Sequence, residues 1–327
     1  MMRGRDGMPV ADAPVRATRP RDPRPPADRP IEAEFRPRAP IDVRRAVGYQ
    51  QRGAHDPAQT EVHGVIWRAT RTPLGIATLA LRIERDRVRA AAWGPGADWA
   101  LDQVPALCGA RDDPDGFDAS LHPVIAATHH RHPDLRLSRT DLLFDALVSA
   151  IFEQKVTGLQ AFGAWRAILT WHGDRAPGPT PKPMFAPPAD WHLIPSWVWH
   201  RAGLEPPQAR TVVAAGLRRA SIERAVTSGG AGADQVLTSL PGIGVWTSAE
   251  ARIRAFGDPD AVSVGDYHVA HGVGFALTGH RTDDDGMLEL LEPWRGHRQR
   301  VIRLIGLSGA REPRRGPRLA PEDHRRR

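Results

Sequence analysis

The stretch LPGIGVWTSA, residues 240–249, constrains this chain more than any other. Before it, GADQVLTSL carries Val236, Leu237 and Leu240 on one side of a helix. After it, VWTSAEARIRAFG carries Val245, Ala249, Ile253 and Phe256 roughly on one side, with Gly257 placed as a terminator. Only Pro241, Gly242, Ile243 and Gly244 stand between them. The spacing predicts two helices joined by a very short hairpin, with Ile243 plugging the gap. Gly242 and Gly244 let the backbone turn sharply and bring bare N–H groups to the surface. The second helix adds its own unpaired N–H groups and partial positive charge. Such a cradle suits one phosphate, held without sequence preference. The plainer alternative is an ordinary helical turn.

The rest of the chain supplies a partner for that cradle. The 327 residues carry a net charge of +7 and a pI near 10.6, almost all of it from arginine, with Lys155 and Lys182 the only lysines. Arg-rich basic chains suit phosphate or nucleic-acid contact, although compositional bias gives the same excess. A single cysteine, Cys108, excludes an internal disulfide and a Cys-rich zinc or iron–sulfur site. No apolar run approaches the ~18 residues of a membrane span, and no apolar signal segment is seen, so a cytoplasmic, nucleoid-associated monomer is expected.

Residues 1–40 and 312–327 are rich in Pro, Arg and Asp and read as disordered tails. Residues 41–130 form a strand-rich α+β unit. Within it GIATLALRI alternates, Ile76, Thr78, Ala80 and Arg82 against Ala77, Leu79, Leu81 and Ile83, as in a strand with one buried face. Residues 131–311 form an all-helical unit. Phe144, Leu147, Val148 and Ile151 share a helix face, and Thr157 with Gln160 is a capping box that opens the next helix. Gln154, Lys155 and Val156 then fall in a tight connection. The fold class is α+β: a small strand-rich domain followed by a larger helix-hairpin-helix domain. The cluster His129, His130 and His132 lacks ligand spacing and reads as a solvated helix end, while His122 and His268 read as structural or surface residues.

Downstream of the hairpin, GDPDAVSVGDYHV places Asp266 twenty residues after Trp246, at the mouth of another helix. An Asp there serves as a helix cap or as a catalytic carboxylate, and the two roles are compatible. The stretch LPGIGVWTSAEARIRAFGDPDAVSVGDYHV resembles the signature of the helix-hairpin-helix DNA glycosylases, most closely the 3-methyladenine DNA glycosylase II branch. DALVSAIFEQKVTG, GLEPPQARTVVAAG and EPWRGHRQRVIRLI resemble further segments of that family in the same order, so the likeness spans residues 45–310.

The resemblance implies a role for each matching residue. Gly242, Ile243, Gly244 and Thr247 would meet a DNA phosphate, beside a monovalent cation held by backbone carbonyls, with no other cofactor required and no metal held by side chains. Trp246 and Glu250 would line the base pocket, although Glu250 departs from the aromatic residue common there. Trp197 and Trp199 are substitutes for it, with a core role for both as the alternative. Asp266 would be the catalytic carboxylate. Lys155 falls at the wedge position, where an apolar or amide side chain is usual. Where lyase members of the family place a Schiff-base lysine, this chain has Val245 and Trp246. The implied activity is monofunctional hydrolysis of alkylated purines from double-stranded DNA in base-excision repair. Two alternatives stay open: a non-catalytic DNA-binding protein on the same fold, and a glycosylase for oxidised or mismatched bases.

Overall fold

The computed structural model describes residues 29–312. Five strands make one antiparallel sheet: β1 (Ile31–Phe35), β2 (Gln59–Val62), β3 (Val65–Thr72), β4 (Gly75–Ile83) and β5 (Val88–Trp93). Their order is β1-β5-β4-β3-β2. Helix α1 (Val43–Gly48) lies between β1 and β2, and α2 (Ala97–Asp102) and α3 (Val104–Leu107) follow β5. Leu79 stands opposite Arg68 and Ala92, and Leu81 opposite Ile66 and Ala90. That register gathers Ile66, Leu79, Leu81, Ala90 and Ala92 on one face, where Val43, Val47, Leu101 and Val104 cover them. Cys108 is buried in the same cluster, and burial pushes its thiol up to about 12, so it packs rather than reacts.

Two expectations about this unit are corrected. Residues 31–35, placed in the N-terminal tail, form the edge strand β1 against β5. The sequence IEAEF alternates apolar and acidic, and pairing with β5 satisfies its backbone although its side chains stay mostly exposed. Residues 1–28 and 313–327 lie outside the described residues. The second correction concerns β4, which is buried on both faces rather than one. The Pro-rich loop after residue 176 doubles back through the ribbon β6 (Asp174–Arg175) and β7 (Phe185–Ala186). Ala176, Met184 and Ala186 then pack on Ala69, Trp67 and Ile76, and the Thr78 hydroxyl donates to the Pro177 carbonyl.

The helical part runs α4 (Pro123–Arg131), α5 (Leu143–Phe152), α6 (Gly158–His172), α7 (Ser196–Ala202), α8 (Pro206–Leu217), α9 (Arg219–Arg224), α10 (Gly229–Thr238), α11 (Val245–Phe256), α12 (Val269–Thr278), α13 (Asp284–Leu291) and α14 (Arg298–Ser308). Helix α5 is the axis: apart from Asp145 every residue from Leu143 to Phe152 is buried. Each large apolar side chain hidden this way contributes about 1.5–3 kcal/mol. Phe152, Trp165, Trp191 and Trp199 stack edge and face within this core. The expected capping box opens α6: the Thr157 hydroxyl accepts from Gln160 N, and the Gln160 side chain reaches back to Thr157 N. A second core, from Ile125 and Leu135 to Met287, Trp294 and Leu304, joins α4 to α12, α13 and α14. Helix α4, expected in the strand-rich unit, thus packs with the C-terminal helices. His122 caps α4 by accepting from Val124 N, as a structural histidine.

The segment between α1 and β2 locks sheet and helices together. Gln50 Nε2 donates to Ser138 Oγ (2.8 Å) and to the Arg254 carbonyl (3.2 Å). Asp56 Oδ1 accepts from Trp165 Nε1 at 3.2 Å. Farther along, Arg300 forks onto Asp112 with two bonds of 2.8 Å, both side chains fully buried.

Candidate functional site

The hairpin joins α10 to α11 as its spacing predicts. Ile243 is 6% exposed and sits in the cluster that holds Leu237 and Ala251. The two glycines serve different ends. Gly242 has φ +85°, and a Cβ there would stand 2.4 Å from Thr211 Oγ1. Gly244 is extended (φ −95°, ψ −179°), with open space where a Cβ would go. The turn therefore needs glycine only at 242. At Gly244 the bare backbone leaves the outer surface of the hairpin open.

Ile243 N donates to the Leu240 carbonyl at 3.1 Å, so its N–H is turned inward. The first amide to bond back into α11 is that of Ser248, to the Gly244 carbonyl (3.0 Å). The helix has no side-chain cap, so the amides at its start face outward with the positive end of the helix dipole. Val245, expected on the buried side, is 62% exposed beside them, whereas Ala249, Ile253 and Phe256 are buried. Gly257 ends the helix in the left-handed conformation, as expected. The Thr247 side chain is buried, and its hydroxyl accepts from Gln154 Nε2 at 2.9 Å. The same amide group donates to the Gly242 carbonyl, also at 2.9 Å. Gln154 thus fastens the α5–α6 connection to the hairpin. Lys155, next to it, is exposed and holds φ +54°.

Trp246 and Asp266 meet across twenty residues of chain. Trp246 Nε1 donates to Asp266 Oδ2 at 3.1 Å. Asp266 Oδ1 accepts from the amides of His268 (2.8 Å) and Val269 (3.0 Å), at the start of α12. Capping and presentation of the carboxylate therefore coexist, each on its own oxygen. Tyr267 stands exposed beside it, edge-on to His268 and His271.

Glu250 lies one turn beyond Trp246 on α11. Its Oε1 accepts from the Ser263 hydroxyl at 2.6 Å, and its Oε2 stays 3.9 Å from Arg254 Nε. Burial pushes the Glu250 carboxyl above its ordinary range, against the pull of Arg254 and Ser263. Arg254 donates to the Tyr49 carbonyl at 2.6 Å and lies over the Tyr49 ring. Arg52, from the α1–β2 segment, reaches the same neighbourhood: Nη2 donates to Ser149 Oγ, and Nη1 is 3.6 Å from Glu153 Oε1. Burial and the nearby Arg254 charge lower the Arg52 pKa to about 10.

Trp197 and Trp199 do not join these residues. Trp199 stacks on Trp191 in the core, and Trp197 is 68% exposed on α7, contrary to a core role. His129 packs edge-on to Phe117, and no group of three or more potential metal ligands occurs among the described residues. Sequence reasoning missed Arg52, Ser263 and Gln154 as neighbours of the site residues. Gln154 had a local signal, its place in a tight connection. Arg52 and Ser263 had none.

No protein-family model matches the chain, and no curated protein matches it in sequence. Solved structures do resemble it. The 3-methyladenine DNA-glycosylase from Archaeoglobus fulgidus has a TM-score of 0.71 at 14% identity, over 84% of this chain and 98% of that one. The 8-oxoguanine glycosylase/lyase of Clostridium acetobutylicum has a TM-score of 0.66 at 12% identity, over 86% and 99%. MBOgg1, solved with a low-affinity DNA ligand, gives 0.64 at 13%, over 85% and 95%. The chain therefore has the fold of the helix-hairpin-helix DNA glycosylases. Structures of both 3-methyladenine and 8-oxoguanine enzymes match over nearly their whole length, so the fold does not separate those branches.

Proposed function

We propose that this protein is a monofunctional DNA glycosylase that hydrolyses damaged purines, alkylated ones among them, from double-stranded DNA. The observation that carries the reading is the Trp246–Asp266 hydrogen bond beside the uncapped start of α11. It joins a stacking surface, a carboxylate and outward-facing amides within one turn of helix.

In this mechanism the amides of Gly244 and the first turn of α11 hold a backbone phosphate. The damaged nucleotide leaves the stack, at a cost of a few kcal/mol, and its base lies against Trp246. Lys155, at the tip of the connection that Gln154 ties to the hairpin, would fill the vacated space. The bond from C1′ to the base nitrogen breaks with its electron pair moving to the base, and the sugar gains oxocarbenium character. The Asp266 carboxylate stabilises that charge. Water adds its oxygen to C1′, and its proton is released to solvent or to the departing base. The hairpin carbonyls Leu240 O and Gly242 O each accept one hydrogen bond, from Ile243 N and from Gln154, and keep a second lone pair that could face the monovalent cation implied by the family resemblance; no step depends on it.

The assay is release of free bases from methylated and from oxidised duplex DNA. The expected products are free purine and intact abasic sites, with no covalent complex trapped by borohydride. A trapped adduct would contradict the monofunctional assignment. No release from either substrate would leave the binding-protein alternative standing.

A further inference from the structure

The turn that leads into Asp266 is open on its outer side. Val262 and Ser263 are buried where the segment leaves the core, but Gly265 is exposed. Gly265 holds φ +89°, and a Cβ there would meet nothing within 4 Å. Hydrogen bonds hold this turn in place of packing. Ser263 Oγ donates to Glu250 on α11, and the Ser263 carbonyl accepts from Asp266 N at 3.2 Å. Gly265 N donates to Asp284 Oδ2 at 3.0 Å. Asp284 is the first residue of α13, nineteen positions downstream.

Asp284 does not serve as the cap of its own helix. Asp283 caps α13, its Oδ1 accepting from Gly286 N at 3.0 Å. Asp284 Oδ2 instead reaches back to the turn, and its Oδ1 is buried and takes no hydrogen bond from any described residue. Burying an acceptor without a partner is costly, and folded proteins seldom do it. Departures of this kind collect at functional sites. Here the departure lies against the residue that precedes Asp266.

We infer that Asp284 is a positioning residue: by holding the Gly265 amide it fixes the backbone that aims the Asp266 carboxylate. Trp246 and the two α12 amides fix the side chain of Asp266, and Asp284 fixes the peptide just before it. Both are needed, because a catalytic group must stand within about 0.5 Å of its productive place. Helices α11 and α13 thus hold the turn from two sides, through Glu250 on Ser263 and Asp284 on Gly265. In this role Asp284 touches neither base nor sugar and acts only through Asp266. The inference rests on the glycosylase reading.

The test compares Asp284→Ala and Asp284→Asn with the wild-type protein, by single-turnover release of damaged purine and by affinity for duplex DNA. Release by Asp284→Ala should fall about 10-fold, the scale of one hydrogen bond to a charged group. DNA affinity and melting temperature should stay near wild type. Asn keeps an oxygen for the Gly265 amide, so Asp284→Asn should restore release to within about 3-fold of wild type, the difference between a charged and a neutral acceptor. In an Asp266→Asn background, Asp284→Ala should slow release by less than about 2-fold, because its effect passes through the missing charge. A merely structural Asp284 would instead lower melting temperature and DNA affinity along with release, in both backgrounds alike. That result, or a wild-type rate in folded Asp284→Ala, would overturn the inference and leave the proposed function intact. In the wild-type protein the Gly265 amide, although at the surface, should exchange with solvent well below the rate of a free amide. Exchange at the free rate would overturn the inference with no variant required. A wild-type protein that releases no base fails the proposed function, and the inference falls with it.

Discussion

At Asp266 one carboxylate oxygen receives two backbone amides and the other receives Trp246 Nε1. The indole therefore offers more than a stacking face: it fixes the orientation of that second oxygen. Trp246→Phe keeps an aromatic face and removes that donor. Single-turnover base release should fall about 10-fold, with little change in thermal stability, because a hydrogen bond to a charged group contributes roughly 1.5–3 kcal/mol. A wild-type rate in a folded Trp246→Phe protein would show that the bond does not position the carboxylate. The pair was legible in the sequence, since Trp246 follows the hairpin directly and Asp266 stands before a helix at a fixed distance. The setting of Glu250 was not legible. Arg52, whose charge acts on it, comes from about 200 residues upstream, and nothing local marks it.

The hairpin sets two glycines against each other. Gly242→Ala places a Cβ at positive φ and against Thr211, so it should destabilise the fold by about 1–3 kcal/mol. Gly244→Ala meets open space in an extended conformation, so stability should hold or rise by a few tenths of a kcal/mol. The same Gly244→Ala change should weaken binding to any duplex, damaged or intact, because the methyl group stands where phosphate approaches. Melting curves and binding isotherms for the two variants separate the roles, and unimpaired DNA binding by Gly244→Ala would rule out the hairpin as the phosphate site. Sequence reading gave the two glycines one role because both are glycine; their dihedral angles and neighbours divide them. Helices α5 and α9 meet at a second element-scale feature. Burial, and then the facing Asp145 carboxylate, push Glu223 up to about 7, while Arg219 opposes the shift. From its ordinary 4.5 up to about 7, folded Glu223 holds a proton that the unfolded chain has lost, so its contribution to stability falls as pH rises through that window. Glu223→Gln should stabilise the protein at pH 8, by at most about 3 kcal/mol, and change little at pH 4. Urea midpoints at the two pH values check this, and equal effects at both would contradict it.

Across the whole molecule the sheet is tied to the helices through the short segment between α1 and β2. Gln50 and Asp56 anchor that segment to the helices, and Arg52, between them, reaches Ser149 and Glu153. The two-part α+β organisation was readable from the change between alternating and helical patterns near residue 98. The edge strand β1 was not, because the alternation of IEAEF sits inside a Pro- and Arg-rich context. The cover over β4 was also hidden, because a Pro-rich loop gives no local sign of the surface it packs on. The proposed catalysis depends on Asp266 acting on a base and not only on a helix. Asn at this position can still accept the amides of His268 and Val269, so capping survives while the negative charge is lost. The most direct measurement is single-turnover release of damaged purine from duplex DNA by the wild-type and Asp266→Asn proteins, with melting curves for both. Release should fall by ~10²-fold or more, about 2.7 kcal/mol, while the melting temperature stays nearly constant and DNA binding persists. A folded Asp266→Asn protein that releases base at the wild-type rate would contradict the catalytic role.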